Sequence, residues 1–409
     1  MHPPNLANAN TGKPEMHHDF ALDGIRGLAI LMVLGRHLIV INNSINTPLY
    51  VFARGFRDSL FSGVDVFFAL SGFLITRILV KTVADSHYFR SFYARRALRI
   101  FPLYYGVLLL LFAITPLYHI HWGGQQWRLL TYSNRLFQSS SGPDWHFYFG
   151  GFISLVNFWS LHIEEQFYFL WPLCVFFIRS PRRLFLFALG ISLGSLGLRF
   201  WLLLHGYSQA FVYTALITRF DSLLIGAALA IALRTRLHTA ALKIATPLFL
   251  TATALFIVVF ALDHRSPSGP LTLLFALRFT LLALASTGLI AMCLKPRSRT
   301  AHTFRNPVMR FFGKYSYGIY VYHSILPMFY IQRLSEFTSV RIPIHFIGNL
   351  LNSAVEFAVT VAVAMLSYHF FEQPILHLKR FFPSQPSTTT PDTPFELEVK
   401  SDTPRLRRT

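Results

Sequence analysis

A chain of 409 residues that is 53% hydrophobic and only 13% charged has too few solvating side chains for a soluble protein of that length, so a bilayer has to supply the missing solvent. The formal charge of +19 does not indicate nucleic acid, because Lys and Arg fall in short clusters at the ends of apolar runs and form no extended basic face. With only two cysteines, Cys174 and Cys293, both near the expected inner ends of helices, a disulfide framework is excluded.

The first twenty residues are polar and contain prolines, without the basic region and apolar core of a secretory leader, so the first apolar run is expected to be an uncleaved membrane helix. Apolar runs follow near residues 21–41, 60–80, 98–114, 153–178 and 184–204, then near 211–233, 245–262, 271–294, 315–331 and 342–371. Each approaches the roughly 20 residues that cross ~30 Å of hydrocarbon at ~1.5 Å rise per residue. Trp159, Trp171, Tyr104 and Tyr105 flank several of them, as interfacial belt residues do. The expected fold is all-α: a polytopic membrane protein of about ten transmembrane helices, with a longer outer loop between the third and the fourth. One membrane domain is expected over residues 21–381, between a polar segment at 1–20 and a disordered tail at 382–409, where PSQPSTTTPDTP has no apolar period. The connection at 115–152, with HIHWGGQQW and SSSGPDW, is expected to form a compact outer cap.

Orientation follows from alternate loops. One set holds Arg77, Lys81, Arg90, Arg95, Arg96 and Arg99, then Arg179, Arg182 and Arg183, then Arg234, Arg236 and Lys243, then Lys295, Arg297, Arg299, Arg305, Arg310 and Lys314. The other is sparse, so the first set is expected to face the cytoplasm with both termini inside.

Ionisable groups at membrane depth cost a few kcal/mol each on insertion scales, so each calls for a partner or a purpose. Arg26 and His37 are eleven positions apart, which at ~100° per residue returns them to nearly one face and sets His37 roughly 16 Å deeper. Glu164 and Glu165 lie about eleven positions into the fourth run and also reach middle depth. Asp65, Arg219, Asp221 and His323 add to the inventory, and one charge-compensated cavity is expected to hold them all. A lone membrane histidine is more often a structural, hydrogen-bonded ring. An imidazole beside carboxylates suits a general base with its orienting acid, and it equally suits proton-coupled transport.

In YARRALRIFPLYY, Arg95 and Arg99 are four apart and Arg96 and Arg99 three apart, so the three crowd one side of a helix start. They are either an anchor for lipid headgroups or a phosphate clamp, since guanidiniums grip phosphate oxygens bidentately.

Seven segments resemble, in order, the acyltransferase-3 family of membrane acyltransferases: LDGIRGLAILMVLGRH at 22–37, GVDVFFALSGFLIT at 63–76, YARRALRIFPLYY at 93–105, FWSLHIEEQFYFLWP at 158–172, RFDSLLIGAALA at 219–230, GKYSYGIYVYH at 313–323 and SYHFFEQP at 367–374. The resemblance covers nearly the whole chain. It implies transfer of an acyl group, commonly acetyl from cytoplasmic acetyl-CoA, to a hydroxyl of a glycan, lipid-linked sugar or small glycosylated molecule in the bacterial inner membrane, with no metal. It assigns His37 the role of the essential histidine, Arg26 that of its paired arginine, and Glu164 that of the catalytic carboxylate, with Glu165 beside it. Arg95, Arg96 and Arg99 take the role of the CoA-binding motif; Asp65, Ser71, Asp221 and His323 are expected to bind substrate. The sequence departs from the family pattern at His162, where a small residue is usual, and at Arg36, which is about 80° from the face of His37 and expected to meet a neighbouring helix or snorkel outward. A transporter or flippase of a sugar lipid or acyl donor is the competing reading. Paired broken helices in two matching halves, the mark of inverted-repeat transporters, are absent from the sequence.

Overall fold

The computed structural model describes residues 19–41, 47–120, 122, 126–133, 148–149, 153–155, 157–265, 273–341 and 345–383. The polar N-terminal segment, nearly all of the tail and most of the outer connection that was expected to form a cap lie outside the described residues.

In chain order the helices are α1 Phe20–Leu38, α2 Pro48–Ser59, α3 Gly63–Thr82, α4 Tyr88–Tyr118, α5 Gln126–Leu130, α6 Phe158–Phe177, α7 Pro181–Leu204, α8 Gln209–Thr214, α9 Phe220–Ala232, α10 His238–Arg265, α11 Leu274–Leu294, α12 Arg299–Phe304, α13 Pro307–Tyr322, α14 Ile331–Arg341, α15 His345–Ser367 and α16 Gln373–Leu376. The only strands among the described residues are Tyr148–Phe149 and Ile153–Ser154, paired antiparallel, so the fold is all-α as expected. Among the described residues, six helical stretches are long and apolar enough to cross a bilayer: Pro48–Thr82, Tyr88–Tyr118, Pro181–Leu204, His238–Asp263, Leu274–Leu294 and Ile347–Phe381. The other expected runs form α1, α6, α8 with α9, and α13.

The helices divide by what solvates them. The apolar windows of α10 and α15 are only 22% and 11% buried, so lipid has to cover their outer faces, whereas those of α3 and α11 are 72% buried inside the protein. Apolarity alone does not pull helices together in lipid, so the inner contacts rely on close backbone approach. A Cβ at Gly27 would fall 1.9 Å from the Met309 carbonyl oxygen, and one at Gly72 would fall 1.8 Å from that of Leu223. Those two glycines let α1 seat on α13 and α3 on α9.

Two runs expected to be continuous are broken. Residues 211–233 divide into α8, whose first turn is capped by Ser208 accepting from the Phe211 N–H at 3.1 Å, a tight turn Ile217–Arg219, and α9. The break frees the Thr218 carbonyl to accept from Arg199 at 2.5 Å. Residues 315–331 begin earlier, at Pro307 behind the Asn306 cap, and end at Tyr322 before a turn over Leu326–Phe329 that contains Pro327. Beyond α15 the chain widens into a π-turn over Tyr368–Glu372.

Candidate active site

Among the described residues, three chambers in the bundle hold the expected catalytic and CoA-binding side chains. The first, of about 550 Å³, opens at the end of the bundle where the arginine-rich loops gather. Its walls carry Arg26, Arg77, Lys81, Arg95, Arg96, Arg99, Arg234 and Lys379 against Asp19, Asp23 and Asp85, a strong cationic excess. Arg95, Arg96 and Arg99 lie on the third and fourth turns of α4, where three- and four-residue spacing puts them on one side. Arg95 also donates to the Phe382 carbonyl at 3.1 Å, and Arg26 pairs with Asp23 at 3.3 Å.

The second chamber is small, about 100 Å³, and sits deeper. It brings together Arg26 from α1, Ser71 from α3, Arg96 and Arg99 from α4, Glu164, Glu165 and Tyr168 from α6, and Tyr317 and Tyr320 from α13. Opposed guanidiniums and carboxylates compensate one another, which is what membrane depth demands. Ser71 and Tyr168 share a hydrogen bond through their hydroxyls, and the Arg96 guanidinium lies 5.6 Å from the Tyr168 ring centroid. Arg26, Leu74, Arg96 and Arg99 line both this chamber and the first, so the two abut.

The third chamber, about 560 Å³, lies beyond the second and is lined in part by His37, Arg36, Asp58, Asn157, Trp159, Gln209, Tyr213, Arg278 and Tyr320. Val64 and Tyr320 belong to the second and third chambers alike. His37 is exposed into it from the last turn of α1. Arg36 meets a neighbouring helix, as expected: its guanidinium lies 3.6 Å from Asp58 of α2.

The His37 ring packs against that of His323, with centroids 5.1 Å apart and planes tilted by 57°. His323 ends α13 and is buried. Its Nδ1 lies 2.7 Å from the Tyr320 carbonyl, which can only accept, so Nδ1 carries the proton. Its Nε2 then accepts from the Asn157 amide at 2.9 Å. Both His323 nitrogens are therefore committed, and this ring serves as a fixed neutral wall. Tyr320 is held in turn by donating to the Asn157 carbonyl at 2.8 Å and by Ser160 at 2.5 Å.

The expectation of one shared cavity needs three corrections. Glu164 lines the second chamber and His37 the third, so the carboxylate does not directly orient the imidazole; it faces the arginines, which compensate its charge at depth. Asp65 lines none of the three chambers. It is fully buried in an ion pair with Arg219 at 2.5 Å and accepts from Ser222 at 3.1 Å, while Phe279 covers that arginine with its ring centroid 4.0 Å away. Asp221 is likewise enclosed, gripped by both Arg199 terminal nitrogens at 2.9 and 2.6 Å and by the Thr280 hydroxyl at 2.6 Å. Arg199 spends its remaining donors on the Ala276 and Thr218 carbonyls and on Thr280. These two aspartates are brought to the packing of α3, α7, α9 and α11, and neither reaches a chamber.

Arg199 and Arg278 went unread in the sequence, although an arginine inside an apolar run was the available signal. Arg278 pairs with Asp263, lies over the Phe260 ring at 4.7 Å, and forms part of the third chamber's wall. His162, flagged as a departure, is buried outside the chambers. Its Nε2 is 2.8 Å from the Tyr104 hydroxyl, which also donates to the Leu129 carbonyl at 2.8 Å and so ties α5 to the bundle. Tyr105 and Gln166 bond the carbonyls of Leu130 and Tyr132 in the same way.

Residues 19–369 match the family model described as an acyltransferase domain. Over 384 residues the chain is 28% identical to the peptidoglycan O-acetyltransferase OatA of Listeria monocytogenes, covering 87% of this chain and 55% of that protein. It is 29% identical to the putative peptidoglycan O-acetyltransferase YrhL of Bacillus subtilis, covering 88% and 55%, and 26% identical to a putative O-acetyltransferase of Staphylococcus aureus, covering 90% and 59%. The chain therefore spans a little over half the length of the curated relatives it matches. No solved structure matches it. With the match running from the start of α1 through α15, the chain belongs to the acyltransferase-3 family and carries its acyltransferase domain over nearly its whole length.

Proposed function

We propose that the chain is a membrane O-acyltransferase that takes an acyl group, most simply acetyl, from acyl-CoA and places it on a hydroxyl of a glycan or lipid-linked sugar. The observation that supports this most is that the chambers abut in series, an arginine-walled vestibule beside a narrow, charge-compensated middle chamber, and that one beside the chamber of the histidine. Phosphates of the donor suit Arg95, Arg96 and Arg99 in the vestibule. The flexible pantetheine arm suits the narrow passage past Arg26, Ser71 and Tyr168, and the acceptor suits the wider third chamber, where Trp159 and Tyr213 offer aromatic faces to sugar rings and Asn157 and Gln209 offer polar contacts.

In this reading a nitrogen of His37 removes the proton from the acceptor hydroxyl as its oxygen attacks the thioester carbonyl. A new C–O bond forms, the C–S bond breaks, and the leaving thiolate takes up a proton, returning the imidazole to its neutral form. The His323 ring, itself held by Asn157, packs against His37. Arg26 and Glu164 position the arm and balance each other's charge, a role inferred from their shared chamber.

The vestibule carries residues near both ends of the domain, Asp19 and Lys379, together with the arginine-rich loops. We place this end in the cytoplasm of a bacterial inner membrane, with both ends of the domain on that side. The test is to supply membranes containing the chain with acetyl-labelled CoA and a cell-wall glycan acceptor. Ester-bound label should appear with wild type and vanish with His37→Ala; ester formation that survives this change would remove His37 from the reaction.

A further inference from the structure

The vestibule has a side lobe. A cavity of about 270 Å³ lies beside it, and the two share Arg77, at the end of α3, and Arg234, in the turn after α9. His238, the first residue of α10, completes the polar rim, while Leu233, Leu242 and Leu294 form an apolar floor. Three different elements supply the rim, and Arg234 sits in a turn fixed by its own N–H bond to the Ile231 carbonyl at 2.9 Å. Arg77 is exposed and has no carboxylate within ion-pairing distance among the described residues.

We infer that this lobe is a second phosphate subsite, which takes the 3′-phosphomonoester of the donor's adenosine end with the adenine against the leucine floor. The inference rests on the acyl-CoA reading above and deepens it. A CoA thioester carries two separate anionic groups, the diphosphate that leads to the pantetheine arm and the phosphomonoester on the ribose. The arginines of α4 line the vestibule next to the passage toward His37 and so suit the diphosphate. A dianion on the ribose then needs a separate cationic site set aside from that passage, next to a surface that accepts a flat base. Arg77 and Arg234, standing between vestibule and lobe, meet that need, and guanidiniums match phosphate oxygens in bidentate geometry. The same chemistry would hold the headgroup of an anionic lipid, so the test has to separate the two.

Acetyl-CoA and acetyl-dephospho-CoA differ only in the 3′-phosphate. With purified protein in detergent, wild type should bind acetyl-CoA about tenfold or more tightly than the dephospho compound, the scale of a charge-assisted hydrogen-bond pair. In the double variant Arg77→Gln, Arg234→Gln that ratio should fall toward one, and Arg77→Lys with Arg234→Lys should restore part of it. Binding of the dephospho compound reports that each variant is folded. A ratio near one in wild type, or an undiminished ratio in the double variant, overturns the subsite. An undiminished ratio accompanied by loss of co-purifying anionic lipid overturns it in favour of a headgroup site. Failure of wild type to bind either compound removes the acyl-CoA reading and the subsite together, whereas equal binding of both removes the subsite alone.

Discussion

Two regions of this bundle hold charges at membrane depth, and they hold them differently. Around α7, α9 and α11, Arg199 and Asp221 close on each other with every side-chain contact supplied by protein, and Asp65 with Arg219 is enclosed beneath aromatic rings. Around α1, α6 and α13, Arg26, Glu164, Glu165 and His37 line open space. The first arrangement joins helices that lipid would not press together; the second leaves groups available to a ligand. A charge in a membrane helix thus marks either a fastening or a site, and its neighbours decide which.

That contrast can be broken by substitution. The largest expected effect is on chemistry: His37→Ala should lower acyl transfer by about 10²–10⁴-fold, the scale of a lost general base, with unfolding in detergent at the wild-type temperature. Asp221→Asn should do the reverse. Leaving Arg199 buried and unpaired should cost about 3–5 kcal/mol, seen as a lower midpoint of thermal unfolding, while the folded fraction keeps its specific activity. If Asp221→Asn lost activity at full stability, the division between fastening and site would fail there. Next in size, Arg99→Lys keeps the charge and loses the fork, so donor affinity should weaken by about tenfold with topology intact. An unchanged affinity would make the α4 arginines lipid anchors. The smallest effect is expected at Asn157→Ala, which frees Nε2 of His323 and loosens the wall behind His37. We expect kcat to drop by about 3–10-fold with the donor KM little changed, since the loss is one neutral hydrogen bond.

The sequence made the helices legible because membrane spans announce themselves by length and apolarity, and the spacing of Arg26 and His37 set their relative depth from helix geometry alone. It could not show the pairing. Asp65 and Arg219 are 154 positions apart, and nothing local at either residue names the other. For the same reason Glu164 and His37, both at middle depth, read as neighbours until the packing set them in separate chambers. The break between α8 and α9 was hidden because no proline or glycine marks it, while the need it meets, a carbonyl for Arg199, lies on another helix. His162 stood out as unusual, but its purpose depends on α5 folding back to Tyr104.

The central claim is that donor and acceptor meet through chambers in series. Ser71 stands in the wall of the narrow middle one. The direct measurement is Ser71→Phe, assayed on a single preparation for binding of CoA itself and for acyl transfer. We predict that CoA still binds within about threefold of wild type, because its phosphate contacts lie in the vestibule, while transfer is lost because the arm can no longer pass. Transfer that persists past the phenyl ring would contradict the account.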